Sequence, residues 1–177
     1  AHAADAKGLL AAAIRDVDPV ICGEHKGLYM DECGVPEGEY LIPFGQARTA
    51  VAGSDITIVA MSRMVVIAEQ AAAQLKERGI SAEVIDLRTL SPLDEGAVLE
   101  SLAKTGRLVV VDESNPYCSM ASEIAGLAVE RGFDTLDAPV KRVTAPHTPV
   151  PATPCLEIEY VPNAAKVIAA VEETLAY

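Results

Sequence analysis

From Ser54 onward, short apolar runs alternate with stretches whose apolar residues recur at helical spacing, and this alternation constrains the fold more than any other feature. Asp55-Ile56-Thr57-Ile58-Val59-Ala60 reads as a strand. Met64, Ile67, Ala68, Ala71 and Leu75 then form a helical stripe closed by Gly79. Ala82 to Leu87 is a second strand, and Ser91-Pro92-Leu93-Asp94 opens a helix with Ser91 as its cap, ending near Gly106. Arg107 to Val111, apolar after its first residue, reads as a strand buried on both faces. Ser119 caps a helix with Ile124, Leu127 and Ala128 inward, Val140 to Thr144 is a fourth strand, and Asn163 caps a final helix carrying Ile168, Val171 and Leu175. Strands and helices in strict turn imply right-handed βαβ units. The expected fold is α/β, a three-layer sandwich on a mostly parallel sheet of about five strands. Aromatics are only 4% with no Trp, and the abundant Ala and Val suit helices packed closely on such a sheet.

Before Ser54 the texture differs. Asp5 is a plausible cap for a helix with Leu9, Leu10, Ala13 and Ile14 on its apolar face, and Pro19-Val20-Ile21-Cys22-Gly23 reads as a short buried strand. Residues 24–53 hold five Gly, two Pro and little periodicity, so they read as a long connector with one short strand at most. Compact domains rarely contain such a loop. The expected division is therefore residues 1–23 as the end of one domain, 24–53 as a linker and 54–177 as a second domain. Ala1-His2-Ala3-Ala4-Asp5 carries neither the basic region nor the cleavage pattern of a secretory signal, and it lacks an initiator Met, so the chain is expected to be a piece of a longer one.

Charge and cysteine usage exclude whole classes of function. Lys and Arg number 14 against 26 Asp and Glu, a net charge of −12. Nucleic acid and anionic lipid surfaces both demand the opposite sign, whereas a basic protein partner is compatible. No apolar run approaches the roughly 20 residues of a membrane span. The four cysteines, Cys22, Cys33, Cys118 and Cys155, form no paired metal motif and read as reduced cytoplasmic thiols. Cys118 reads either as a thiol tuned by the following helix or as a small residue in a tight turn.

No glycine-rich dinucleotide loop, phosphate-binding loop, nucleophile elbow or zinc-helix motif occurs. Ligands on open α/β sheets gather at the carboxyl ends of the strands. The residues there are Met61-Ser62-Arg63, Asp86-Leu87-Arg88, Asp112-Glu113-Ser114-Asn115 and Ala145-Pro146-His147. Arg63, Arg88, Glu113 and His147 are the cleft candidates. Arg88 with Asp112 or Glu113 reads equally as a structural ion pair, and His147 as either a proton carrier or a loop residue facing solvent.

Several segments, in order, resemble one family. Ala12-Ala13-Ile14-Arg15-Asp16-Val17-Asp18-Pro19-Val20, Gly23-Glu24-His25-Lys26-Gly27-Leu28-Tyr29 and Val35-Pro36-Glu37-Gly38-Glu39-Tyr40-Leu41-Ile42-Pro43-Phe44-Gly45 are similar to the β subunits of thiamine-diphosphate-dependent 2-oxo acid dehydrogenase E1 components. So are Ala82-Glu83-Val84-Ile85-Asp86-Leu87-Arg88-Thr89-Leu90-Ser91-Pro92-Leu93-Asp94, Lys104-Thr105-Gly106-Arg107-Leu108-Val109-Val110-Val111 and Ala138-Pro139-Val140-Lys141-Arg142-Val143-Thr144. Asp112-Glu113-Ser114-Asn115-Pro116 with Cys118-Ser119, and residues 144–151, most resemble the acetoin dehydrogenase branch.

The resemblance implies that 54–177 is a transketolase C-terminal-type domain and 1–23 the end of a pyrimidine-binding domain. The residues that activate thiamine diphosphate and its Mg would lie upstream of Ala1, so this chain alone is expected to be inactive and to bind neither. It implies a partial potassium site formed by the Ala13 carbonyl with Asp16 and Asp18; an exposed acidic helix end is the plainer reading. It implies an E1 α subunit and a second E1 β subunit as partners. It also implies that the peripheral-subunit-binding domain of an E2 acyltransferase docks near Asp137, Glu172, Glu173 and Tyr177. An autonomous module binding small oxo acids through Arg63 and Arg88 is the alternative, followed by a fragment of another transketolase-like enzyme.

Overall fold

A computed structural model describes residues 1–177. The order of elements is α1 (Ala3–Arg15), a 3-10 turn (Lys26–Leu28), β1 (Arg48–Val51), β2 (Ile56–Ala60), α2 (Arg63–Glu77), β3 (Ala82–Asp86), α3 (Glu95–Thr105), β4 (Leu108–Val111), α4 (Met120–Gly132), a second 3-10 turn (Phe133–Thr135), β5 (Lys141–Val143), α5 (Pro154–Tyr160) and α6 (Ala164–Leu175). The strands form one sheet in the order β1-β3-β2-β4-β5. β2, β3, β4 and β5 are parallel and β1 is an antiparallel edge, as the α/β three-layer reading requires.

The layers follow from residue chemistry. β2, β3 and β4 are buried throughout, because helices cover both faces of the sheet. On one face Met64, Val65, Ala68 and Leu75 of α2 and Val167, Ile168 and Val171 of α6 pack on Ile56, Ile58, Val84 and Val109. On the other, Val98 and Leu102 of α3 and Ile124 and Ala128 of α4 pack on Val59, Ile85, Leu108 and Val110. Gly106, at φ +68, ends α3 in the left-handed conformation that suits glycine. No helix is long and apolar enough to cross a membrane.

The structure corrects several local expectations. Residues 19–23 form no strand; the segment is exposed coil with Ile21 98% exposed, because no neighbouring strand pairs with it. Asp5 does not cap α1, which begins at Ala3; it lies in the first turn and is buried. The line of α1 that faces the protein runs through Asp5 and Gly8, while Leu10 and Ile14 point outward. Ser91 does not cap α3: Asp94 does, its carboxylate accepting the Ala97 N–H at 3.1 Å. The one short strand anticipated in the connector is β1, while α5 lies in the Pro-rich stretch that sequence periodicity leaves blank.

Candidate functional site

Three groups of side chains gather at the carboxyl end of the sheet. The first surrounds Arg88, two residues past β3. Its N–H donates to Asp86 Oδ1 at 3.1 Å while its backbone sits at φ +57, a region that disfavours side chains. Its guanidinium reaches Asp5 of α1 at 2.6 Å, rather than the anticipated Asp112 or Glu113. Arg48 of β1 lies beside the same carboxylates, 3.5 Å from Asp86, 3.6 Å from Glu69 and 3.9 Å from Asp5. Glu69 also meets His2 at 3.0 Å. Burial pushes the Asp5 carboxyl upward, but the charge and hydrogen bond of Arg88, with Arg48 beside them, oppose it, and Asp5 is held below the usual carboxylate range.

The second group joins the connector to the end of β4. His25 Nε2 lies 3.0 Å from Glu113 Oε1, and Arg63, the first residue of α2, sits against Gly27. Asp112 is buried, accepting the Ser114 N–H at 2.9 Å and the Ala121 N–H at 3.2 Å, so it ties the β4 loop to the start of α4. The third group is His147, which meets Tyr117 edge to face with ring centroids 4.7 Å apart, beside Cys118 at φ +50. All four cysteines are free and exposed.

The remaining predicted residues lie elsewhere. Ala13, Asp16 and Asp18 share the end of α1: the Ala13 carbonyl accepts the Asp16 N–H at 3.4 Å, and Asp16 Oδ1 accepts the Asp18 N–H at 2.9 Å. Their oxygen donors suit a hard cation, although one Asp16 oxygen is already used internally. Glu172 pairs with Arg78 at 2.5 Å, Glu173 with Lys141, and Asp137 lies 3.9 Å from Arg107. Tyr177 is exposed.

Sequence reasoning missed a buried polar network at the opposite end of the sheet. Thr57 Oγ lies 2.7 Å from Ser101 Oγ and 2.8 Å from Thr105 Oγ, and Ser101 donates to Glu83 at 2.6 Å. Lys104 completes it by pairing with Glu83. Burial raises the Glu83 carboxyl, but hydrogen bonds from Lys104, Ser101 and the Gly53 N–H, with the Lys104 charge, bring it below its usual range. Polar residues on α3 one turn apart, Ser101 and Thr105, were the signal available in the sequence.

Chemically, the carboxyl-end groups hold one another. Arg88 is taken by Asp5 and Glu113 by His25, while Asp112 is spent on backbone amides. Held in this way, Arg88, Glu113 and Asp112 do not fit a diphosphate or its magnesium.

Comparison with known proteins agrees with this architecture. The description "Transketolase, C-terminal domain" matches residues 45–167. The β subunit of acetoin:2,6-dichlorophenolindophenol oxidoreductase from Bacillus subtilis is 54% identical over 171 residues, covering 97% of this chain and 50% of that protein. The pyruvate dehydrogenase E1 component subunit beta of Rhizobium meliloti is 44% identical over 171 residues, covering 96% of this chain and 37% of that one. The chain thus spans half or less of the length of these relatives. Among solved structures, a split-gene transketolase described as an inactive β4 tetramer superposes with a TM-score of 0.69 at 31% identity, covering 81% of this chain and 47% of that one. The profile match takes in β1 to β5, α2 to α5 and the start of α6, and on that ground the chain belongs to the transketolase C-terminal domain family.

Proposed function

We propose that this chain is the C-terminal portion of the β subunit of an acetoin-type E1 component. That enzyme would cleave a carbonyl substrate with thiamine diphosphate and pass the acyl unit to lipoamide. The observation that carries the reading is the 54% identity to an acetoin oxidoreductase β subunit across 97% of the chain, against 44% for a pyruvate dehydrogenase β subunit. In this role the residues present supply assembly and docking, and the proton transfers belong to other segments. The E1 α subunit and a second E1 β subunit are the proposed core partners, and the proposed compartment is the cytoplasm. Asp137, Glu172, Glu173 and Tyr177 are proposed to face the E2 peripheral-subunit-binding domain. Ala13, Asp16 and Asp18 are proposed to contribute part of a potassium shell. The proposed division of the chain remains 1–23, 24–53 and 54–177, with β1 as the strand that the connector adds to the sheet.

The test uses a full-length β subunit carrying these residues, reconstituted with an acetoin-type E1 α subunit and thiamine diphosphate. Dye reduction with acetoin is expected to exceed that with pyruvate by more than tenfold. Equal rates would overturn the acetoin assignment, and no rate with either substrate would overturn the E1 reading.

A further inference from the structure

The sheet order leaves one place where consecutive connections diverge. The chain leaves β2 toward β3 on one side, then returns to place β4 on the other side of β2. Loops that part in this way leave a crevice at the carboxyl ends of the two strands, the usual ligand position on such sheets. Its walls here are Met61, Ser62 and Arg63 after β2, and Asp112, Glu113 and Ser114 after β4. We propose that the 3-10 turn Lys26–Leu28 is a strap across this crevice, latched by the pair His25–Glu113.

The hydrogen bonds define the latch. The Gly27 N–H donates to His25 Nδ1 at 3.0 Å, so that nitrogen carries no proton. The ring proton is therefore assigned to Nε2, which donates to Glu113 Oε1 at 3.0 Å and lies 3.2 Å from Oε2. Both ring nitrogens are occupied, which makes His25 a holder and not a free base. The Leu28 N–H closes the turn on the His25 carbonyl at 2.9 Å, and the Tyr29 N–H follows on Lys26 at 3.2 Å. Tyr29 O–H donates to Glu24 at 2.9 Å across the base of the strap.

The opposite wall presses on the strap through Arg63. A Cβ placed on Gly27 would meet the His25 ring first, at 2.9 and 3.0 Å, and Arg63 Nη1 next, at 3.1 Å, so glycine is what lets the turn fold onto its own histidine with Arg63 alongside. Arg63 has no carboxylate within ion-pair distance; its charge faces the strap. Leu28 is half-buried beneath the turn, while Lys26 and Gly27 face solvent. One polar pair thus anchors a segment otherwise held by local turns, and its release uncovers the Arg63 guanidinium. The strap rests on sheet order and contacts alone, and it stands or falls independently of the proposed function.

Amide hydrogen exchange of this chain, followed by quenched flow and mass spectrometry, tests the latch. Glu113→Ala is expected to speed exchange at Gly27 and Leu28 by tenfold or more, with β2 and β4 amides unchanged. Glu113→Gln, whose carboxamide oxygen still accepts from Nε2, is expected to stay within threefold of the parent. Trypsin cleavage after Lys26 is expected to rise with the exchange rate. Unchanged exchange at Gly27 and Leu28 in Glu113→Ala would overturn the proposal. So would equal acceleration of the β2 and β4 amides, which would mean that the pair supports the domain and not the strap.

Discussion

Replacing Asp5 with Asn removes one charge from a buried cluster while keeping the shape of the side chain. Asp5 is 4% exposed, and its Oδ1 accepts from the Arg88 guanidinium at 2.6 Å. A hydrogen bond to a charged partner contributes about 1.5–3 kcal/mol, and leaving a buried charge unpaired costs about 3–5 kcal/mol. Arg88 keeps some solvent access and Arg48 lies alongside, so the loss falls toward the lower range, about 2–3 kcal/mol. Urea titration followed by circular dichroism reads this as a lower midpoint at unchanged slope.

The pH dependence has a definite sign. Because Asp5 is held below its unfolded value, its contribution is fully present above that value and is lost as pH falls through the folded one. The gap between parent and Asp5→Asn is therefore expected to be constant near neutrality and to close below about pH 4. A difference under about 0.5 kcal/mol at neutral pH, the scale of an ordinary surface substitution, would refute the reasoning. A gap that persisted undiminished at pH 3 would refute its electrostatic basis.

Three further outcomes follow from the same contacts. Gly53→Ala would place a Cβ 2.2 Å from the Ala82 carbonyl carbon, and since backbone cannot yield cheaply, thermal denaturation should show a loss of about 2–3 kcal/mol, roughly 4–12 °C in Tm. An unchanged Tm would contradict the packing of residues 53 and 82. Glu83→Gln is expected to destabilise by about 1.5–3 kcal/mol at pH 7, measured by urea titration, because it weakens the bonds from Lys104 and Ser101. The Glu83 carboxyl is held below its usual range, so that gap is expected to shrink below about pH 4, and a gap that widened with acid would contradict the sign. If the proposed E2 docking holds, Glu172→Gln and Glu173→Gln are each expected to weaken it by no more than about fivefold, since exposed pairs contribute at most about 1 kcal/mol. Isothermal titration at rising salt checks this: affinity independent of salt would remove the electrostatic basis of docking.

The central fold was legible because its signals are local. Period and caps over Ile56 to Val143 depend on neighbours within a few residues, and β2, β3, β4 and β5 lie where those signals place them. β1 was harder, being four residues in a segment rich in glycine and proline, and it is recognisable only through its pairing with β3. Residues 19–23 show the reverse error: apolar content alone does not make a strand without a partner edge. The site was less legible for the same reason. His25 and Glu113 are 88 positions apart, and nothing in either neighbourhood announces the other. Arg88 pairs with Asp5 of α1 and not with Asp112 or Glu113, and α1 belongs to a segment that the sequence assigns to a different domain.

The charge of −12 changes meaning once these pairs are drawn. Asp5, Glu83, Asp86 and Glu113 are spent inside the protein or against its own connector, and Asp112 on backbone amides. Glu172 and Glu173, at the edge of α6, each already face a cation of this chain. A basic partner approaching α6 must compete with Arg78 and Lys141 for those carboxylates, which weakens the attraction per charge. Glu157 and Glu159 of α5 are exposed and their carboxylates form no ion pair, although the Lys166 ammonium sits on the Glu159 carbonyl at 2.5 Å, and they lie beside the exposed apolar residues Leu156 and Ile158. Free charge beside exposed apolar surface is the composition a partner interface needs, with apolar contact for affinity and a charged rim for steering. Any docking of a basic domain that begins at α6 is therefore expected to extend onto α5, whose carboxylates are not already held in ion pairs and where Lys166 is the cation a partner would have to oppose.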